Sequence, residues 1–126
     1  MKLTPVLVVE RIENSLPFWV DRMGFEKTVD VPGDSGIAFA ILVRNGAELM
    51  LQTAAGVAAD EPAFAPQGES RVASIFIEVD DFADTLKRLE GYPLATAERT
   101  TFYGMREVGV FEPSGNIVVF AARVSE

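Results

Sequence analysis

Hydrophobic and polar positions follow two kinds of period along the first half of the chain, and their order predicts a βαβββ arrangement. Leu3 to Glu10 is apolar and β-branched, which favours a strand, whereas apolar residues recur at helical spacing from Ile12 to Met23. Gly24 is expected to end this helix. Asn45-Gly46 is a strong signal for a two-residue hairpin. Three strands are therefore predicted after the helix: Phe25 to Val31, Ile37 to Arg44 and Ala47 to Thr53.

The same order of periods returns after a long connection. Residues 54–71 are rich in Ala, Pro, Gly and acidic side chains without a sustained period, which predicts an irregular connection. Arg71 to Val79 then favours a strand, and Asp80 or Asp81 can cap a following helix. Strand-like runs fill about residues 94–124, and we interpret them as three strands. The second half therefore repeats the first.

An offset of 70 residues brings the two halves into correspondence, since it places Leu7-Val-Val-Glu-Arg-Ile12 on Ile77-Glu-Val-Asp-Asp-Phe82. Two copies of roughly 55 residues are each too small to bury a good core alone. We therefore predict one α+β domain over residues 1–126, in which the strands of two βαβββ modules curl and pack together. The predicted modules are about residues 1–53 and 72–124.

The composition of the chain argues against membranes and nucleic acids as binding partners. The longest apolar run has seven residues, whereas a membrane helix needs about 20. No signal-peptide pattern precedes the first predicted strand, so we expect a cytoplasmic protein without a membrane partner. The formal net charge of −8 argues against nucleic acid and anionic membranes, whose phosphates require Lys and Arg.

The chain contains no Cys and no His. The first absence excludes disulfides, thiolate nucleophiles and zinc fingers. The second removes the usual general base near neutral pH and the commonest ligand of transition metals. Any bound metal would therefore need oxygen ligands.

A series of short motifs lies in a recognisable order along the two halves. They are Ser15-Leu-Pro-Phe-Trp19, Met23-Gly-Phe25, Val79-Asp-Asp81, Tyr103-Gly-Met-Arg-Glu107 and Glu112-Pro-Ser-Gly-Asn116. With these motifs and the internal repeat, the chain resembles the vicinal oxygen chelate superfamily, also called the glyoxalase/bleomycin resistance/dioxygenase fold. The resemblance covers nearly the whole chain and implies that fold, in which two βαβββ modules form curved mixed sheets around a cleft.

The resemblance also implies a divalent metal in the cleft, held by His or carboxylates from the first and last strands of each module. The positions that would supply these ligands are Thr4, Met50, Ser74 and Val119, none of which is a strong ligand. A shift of one or two residues brings in Glu48, Gln52 or Glu78. No His completes the set at any register, so we predict no metal, no cofactor and no catalytic residue.

Strand alternation predicts which side chains share the concave face, while the residues between them point at the helices. The predicted face consists of Thr4, Val6, Val8, Glu48, Met50, Gln52, Ser74, Phe76, Glu78, Ile117, Val119 and Ala121. The alternative for its aliphatic members is an ordinary core. The family resemblance adds the segment before the last hairpin, where ligand-contacting loops often lie. The predicted ligand-binding residues are Glu48, Met50, Gln52, Phe76, Glu78, Phe102, Tyr103, Met105 and Val119.

Three further residues have simpler interpretations. Trp19 is expected in the core or at a subunit contact. Arg106 and Glu107 are interpreted as an adjacent pair that points to opposite faces of a strand.

Three hypotheses for the function remain open. The one we favour is a metal-free binding protein that sequesters an aromatic or cationic small molecule, as bleomycin resistance proteins do, with homodimer formation and antibiotic resistance implied by that resemblance. The second is an enzyme: a lyase, an isomerase or a dioxygenase-like protein with Glu48, Glu78 or Tyr103 as acid and base, or an enzyme whose metal site lies at other positions than those considered above. The third is a dimeric interaction module.

Overall fold

The computed structural model describes residues 1–64 and 73–124. The chain divides into two compact units, unit 1 (Met1–Arg71) and unit 2 (Val72–Glu126). Each unit contains one four-stranded mixed sheet, which confirms the predicted α+β class with two modules. Their assembly into one domain around a cleft stays a prediction.

The sheet of unit 1 has the strand order β1-β4-β3-β2. Its strands are β1 (Val6–Val9), β2 (Glu26–Gly33), β3 (Gly36–Arg44) and β4 (Ala47–Thr53). β1 and β4 run parallel, whereas the other pairs are antiparallel. Asn45 and Gly46 both have positive φ, at 48° and 82°, as the predicted two-residue hairpin requires.

The helix predicted from Ile12 to Met23 is not continuous, which corrects the sequence interpretation. A 3₁₀ turn (Ile12–Asn14) precedes a π-helical segment (Pro17–Arg22). Pro17 has no N–H to donate, so a single ladder of helical hydrogen bonds cannot pass through it. The N–H of Met23 then bonds the carbonyl of Phe18, five residues earlier, at 2.9 Å.

The irregular connection predicted from residue 54 begins instead with α1 (Ala54–Asp60) and a 3₁₀ turn (Pro62–Phe64). Thr53 caps α1, because its hydroxyl accepts the N–H of Gly56 at 3.0 Å. The alanines of this segment favour a helix once that cap is in place. Residues 65–71 of the predicted connection lie outside the described residues.

Unit 2 repeats the topology with the strand order β5-β8-β7-β6. Its elements are β5 (Ser74–Glu78), α2 (Phe82–Arg88), β6 (Thr96–Thr100), β7 (Met105–Phe111) and β8 (Ile117–Arg123). Of the two predicted caps, Asp81 is the one that caps α2, with its carboxylate accepting the N–H of Asp84 at 2.9 Å.

One face of each sheet forms the core of its unit. In unit 1, Trp19 is fully buried, and its ring meets those of Phe18 and Phe25 edge-on at 5.0 and 5.3 Å. This packing places Trp19 in the core, one of its two predicted locations. On β1, β4 and β8 the buried residues include those predicted to point at the helices, namely Leu7, Val9, Leu49, Leu51, Val118 and Phe120, whereas Ala121 of the predicted concave face is buried as well. Within residues 1–64 and 73–124, no helix has the length and hydropathy to span a membrane.

Candidate functional site

The open face of unit 2 is the face of its sheet opposite α2. Arg106 lies on the α2 side, because its guanidinium carbon is 4.8 Å from the ring centroid of Phe82. Alternate residues of a strand point to opposite faces, as predicted for this pair, so Glu107 lies on the open face. The strand register places four open-face residues in one row across the sheet, which we call the carboxylate row: Glu78, Ala121, Glu107 and Arg99.

Glu107 is the buried member of the carboxylate row, with a side chain only 5% exposed. Its Oε1 accepts a hydrogen bond from the Arg99 guanidinium at 3.2 Å. Its Oε2 accepts a hydrogen bond from the hydroxyl of Tyr103. Each carboxylate oxygen therefore has a donor, which offsets the cost of burying the charge.

Tyr103 reaches Glu107 from the turn between β6 and β7. The turn is held by its own backbone, because the N–H of Thr101 bonds the carbonyl of Met105 at 2.7 Å and Gly104 takes a φ of 81°. The hydrogen bond to Glu107 raises the pKa of the Tyr103 phenol, and desolvation raises it further. The Tyr103 side chain nonetheless stays 49% exposed.

A second row of the open face is less polar. It contains Phe76, Val119, Gly109 and Thr96. Phe76 is 53% exposed. Gly109 leaves space that Thr96 fills, since a Cβ on Gly109 would lie 2.8 Å from the Thr96 hydroxyl. That hydroxyl accepts the Gly109 N–H at 2.9 Å.

Most of the predicted site residues of the second module lie on the open face of unit 2. Phe76 and Glu78 are exposed neighbours on β5, two residues apart, and Val119 is partly exposed beside Phe76. Met105 belongs to the same face but is buried. Phe102 projects fully exposed from the turn, edge-on to Tyr103 with ring centroids 5.1 Å apart.

The predicted residues Glu48, Met50 and Gln52 lie on β4 of unit 1, on the face opposite its core. Met50 pairs with Val6 and Gln52 with Val8 in the β1–β4 register, and both valines are exposed. Glu48 forms an ion pair with Lys2.

Two contributors to the site, Glu107 and Arg99, are absent from the residues predicted to bind a ligand. The sequence interpretation treats Glu107 only as a neighbour of Arg106. The four-residue spacing from Tyr103 to Glu107 is the available signal, because a turn can bring such residues together. Arg99 gives no signal, since a register irregularity between Thr96 and Arg99 sets its position on β6.

A separate concavity of about 660 Å³ lies in unit 1, beside the turn between β2 and β3. None of the predicted ligand-binding residues lines it. Glu13 holds the turn there, because its Oε2 accepts the N–H of Ile37 at 2.8 Å. This backbone hydrogen bond lowers the pKa of Glu13, with Arg11 and Lys27 acting in the same direction. Glu13 therefore has a structural role in joining the first helical turn to the sheet.

The side chains do not fit the divalent metal that the family resemblance implies. Thr4 precedes β1 altogether, and Met50 and Val119 offer a thioether and a hydrocarbon. The described part of the chain contains no group of three or more His, Cys, Asp or Glu residues placed to hold a metal ion. With no His in the sequence, a metal would depend on oxygen ligands, and hard divalent ions require several of these together.

Comparison of the sequence with models of known protein families identifies one family. Residues 3–120 match the family described as the Glyoxalase/Bleomycin resistance protein/Dioxygenase superfamily. No match was found among curated proteins.

Solved structures of low sequence identity share the fold. TioX from Micromonospora sp. ML1 has a TM-score of 0.78 at 16% identity, with 98% of this chain and 99% of TioX covered. A lactoylglutathione lyase from Agrobacterium tumefaciens has a TM-score of 0.76 at 19% identity, with 97% and 92% covered. A glyoxalase/bleomycin resistance protein/dioxygenase from Nocardioides has a TM-score of 0.73 at 18% identity, with 99% and 85% covered. Because the family match spans most of the sequence, the chain belongs to the glyoxalase/bleomycin resistance protein/dioxygenase superfamily.

Proposed function

We propose that this protein binds a small planar organic cation on the open face of unit 2 and does so without a metal. The observation that carries the proposal is an exposed aromatic ring, Phe76, next to an exposed carboxylate, Glu78, on one edge of the carboxylate row. Aromatic faces and carboxylates both attract organic cations, the first through the ring quadrupole and the second through charge.

The spacing within the carboxylate row supports a flat ligand. Neighbouring strands lie about 4.8 Å apart, so Glu78 and Glu107 are separated by about 10 Å, with Ala121 between them. In the next row Val119 and Gly109 follow Phe76. The small side chains leave an apolar strip between two carboxylates, which suits a molecule a few rings wide.

The family comparison is compatible with binding and with catalysis. The family description includes bleomycin resistance proteins, whereas one structural neighbour is a lactoylglutathione lyase. The missing metal ligands and the net charge of −8 support binding of a cation. We extend the proposal to a cytoplasmic homodimer that sequesters an antibiotic of this chemistry.

A matched pair of probes tests the proposal. Proflavine is a planar aromatic cation, and acridone is a neutral tricyclic molecule of similar shape. After chelator treatment, we expect saturable binding of proflavine by calorimetry and fluorescence, and at least tenfold weaker binding of acridone. Phe76→Ala should weaken proflavine binding several-fold. Phe111→Ala serves as the control, since Phe111 is an exposed aromatic residue two strands away from Phe76 and two rows away from the carboxylate row. Absence of saturable proflavine binding, or binding that returns only with added metal, overturns the proposal.

A second candidate, a metal-independent lyase or isomerase, is favoured by one observation. The buried carboxylate of Glu107 is hydrogen-bonded to a tyrosine hydroxyl, and such a carboxylate can remove a proton from a carbon acid. Incorporation of solvent deuterium into hydroxyacetone, followed by NMR, tests this role. The candidate requires exchange that Glu107→Gln abolishes, and equal exchange with and without protein excludes it for this substrate.

A further inference from the structure

The carboxylate of Glu107 has a protein donor on each of its two oxygens. Arg99 donates to one oxygen at 3.2 Å, and Tyr103 donates to the other. A cation that binds on the open face can therefore contact Glu107 directly only if one of these two donors moves away. The following inference rests on the proposed function, since it concerns how the proposed ligand reaches that face.

The two groups that donate hydrogen bonds to Glu107 differ in charge. Arg99 already supplies a positive charge to Glu107, so a cation that took its place would add no net charge attraction at that carboxylate. Tyr103 is a neutral donor, and an incoming N–H group with a positive charge can replace its hydrogen bond and add charge attraction. The neutral donor is therefore the one that a cation replaces.

The turn that carries Tyr103 also permits the exchange. Its backbone bonds join Thr101 to Met105 and Thr101 to Gly104, while the Thr101 hydroxyl accepts the Met105 N–H at 3.1 Å. The phenol of Tyr103 takes part in none of these bonds, although its hydroxyl also hydrogen-bonds the Thr101 side chain. A rotation of the half-exposed Tyr103 side chain breaks its bonds to Glu107 and Thr101, while the backbone bonds of Thr101 keep the turn closed.

The charge of the carboxylate row supports the same exchange. Glu78 and Glu107 bring two negative charges and Arg99 brings one positive charge, so the row keeps one net negative charge. Within the described residues, Glu78 has no hydrogen-bond or ion-pair partner. One monovalent cation would neutralise the row.

We propose that Tyr103 is a specificity-determining residue, whose hydroxyl occupies Glu107 until a cation with an N–H donor displaces it. The ligand class is then narrower than planar cations in general. Amidinium, aminoarene and protonated amine groups supply the required donor, whereas a quaternary nitrogen has the charge but cannot replace the hydrogen bond.

Two probes and three variants test this role. Proflavine has N–H donors and a positive charge, and N-methylacridinium has a similar ring and charge without a donor. Tyr103→Phe removes the competing hydroxyl and should tighten proflavine binding about three- to tenfold, the range expected for one hydrogen bond of modest net strength. N-methylacridinium binding should change less than twofold. Glu107→Gln should weaken proflavine binding at least tenfold, and Tyr92→Phe is the control for loss of a phenol hydroxyl elsewhere in unit 2.

The outcomes separate this inference from the proposed function. If the wild-type protein binds neither probe, the proposed function fails and the inference fails with it. If proflavine binds but Tyr103→Phe leaves its affinity unchanged or lower, the inference alone is overturned. A further measurement does not depend on the folding of Glu107→Gln: in the Tyr92→Phe protein labelled with ¹³C-tyrosine, saturating proflavine at neutral pH should shift the Cζ NMR signal of Tyr103, because its hydroxyl loses the hydrogen bond to Glu107. An unchanged Cζ signal with bound proflavine contradicts displacement.

Discussion

Glu107 and Glu13 both have hydrogen-bond partners that the helical and strand periodicities of the sequence do not predict. Glu107 takes donors from a strand and a turn, whereas Glu13 takes a backbone N–H from β3, 24 residues away. Each contact has an effect that can be measured at one residue. The hydrogen bond of Glu107 changes the pKa of Tyr103, and the position of the Glu13 carboxylate makes a side chain at position 36 unfavourable.

The phenol of Tyr103 should titrate above its ordinary pKa of 10.0, because its hydrogen bond to Glu107 and its desolvation both disfavour the phenolate. A pKa that folding raises adds stability that is fully present below the ordinary value and is lost as the pH rises through the folded value. The free energy of unfolding should therefore decline at alkaline pH partly through this residue. Ultraviolet titration of the Tyr92→Phe protein isolates the signal, since the chain has two tyrosines.

Glu107→Gln is the matched variant for this titration. It removes the negative charge and should bring the midpoint of Tyr103 back toward 10.0. An identical midpoint in the two proteins would mean that Glu107 does not interact with the phenol in solution.

Gly36→Ala should destabilise unit 1 by roughly 1–3 kcal/mol, because the position has a φ of 127°, which side chains with a Cβ rarely adopt. An added Cβ would also lie 2.4 Å from the Glu13 carboxylate oxygen that accepts the Ile37 N–H. Urea denaturation measures the loss.

Gly46→Ala is the control for this substitution, since Gly46 has positive φ but a Cβ added there would meet no heavy atom within 4 Å. A double-mutant cycle of Gly36→Ala and Glu13→Ala measures how much of the loss in unfolding free energy comes from crowding against the Glu13 carboxylate. Zero coupling, or an equal loss at Gly36 and Gly46, would show that the crowding around Glu13 is unimportant.

Sequence reasoning worked at single residues wherever a local rule applied. Asn45 and Gly46 take the predicted turn, and Trp19 lies in the core. It did not find Arg99 as a partner of Glu107, because the register irregularity in β6 decides which residue faces β7. Such a contact depends on how strands align, and one residue of slip turns every side chain of a strand to the other face.

At the scale of elements, the turn between β7 and β8 shows how a carboxylate can be buried with hydrogen bonds alone and no ion pair to any residue that the structure describes. Glu112 is 2% exposed. Its carboxylate accepts the N–H groups of Ser114 and Asn116 at 3.0 and 2.8 Å, and the Asn116 amide at 2.8 Å. Asn116 in turn accepts the N–H of Ala73 just before β5 at 2.7 Å. One carboxylate thus orders the turn and the start of the neighbouring strand.

Glu112→Gln should cost about 1–3 kcal/mol of unfolding free energy, because an amide nitrogen then faces a backbone N–H and a buried donor loses its acceptor. Amide hydrogen exchange should accelerate at Ser114, Asn116 and Ala73. Glu26→Gln, at an exposed position of β2, is the control and should leave stability within about 0.5 kcal/mol of wild type. Unchanged protection at Asn116 would contradict a structural role for Glu112.

The elements themselves were predictable where one periodicity governed a segment. β4 has the predicted bounds, and β3 begins one residue earlier than predicted. The helix around Pro17 and the segment after Thr53 were predicted less well. In both places a local hydrogen-bonding detail decided the outcome: a missing N–H at Pro17, and a side-chain cap at Thr53 that starts α1.

At the scale of the whole molecule, the internal repeat was the most informative property of the sequence. Two units with the same strand order follow from it, and each covers one face of its sheet with its own helical segments. The open faces then differ in chemistry. Beside Val6 and Val8, the β4 face of unit 1 offers one amide and a carboxylate already paired with Lys2, whereas unit 2 concentrates the carboxylates, so the ligand proposal rests on unit 2.

The net charge of −8 makes a kinetic prediction for the proposed ligand. A protein with a large negative charge attracts cations over distances comparable with the screening length, which is about 10 Å at 0.1 M salt and shorter above it. The association rate of proflavine should therefore fall several-fold when salt is raised from about 0.01 M to 0.5 M, since screening removes the attraction. Stopped-flow fluorescence measures this rate.

The dissociation rate separates long-range attraction from direct contacts. Screening of the whole-molecule field should act mainly on association, whereas the contacts with Phe76 and Glu107 set how long the ligand stays. The charge-reversal pair Asp60→Lys and Glu90→Lys changes exposed positions outside the carboxylate row and its neighbouring row. It should lower the association rate at low salt and leave the dissociation rate within about twofold. If the association rate of proflavine is independent of salt and of these substitutions, the acidic surface has no part in capture, and the selectivity for cations must come entirely from the side chains of the open face.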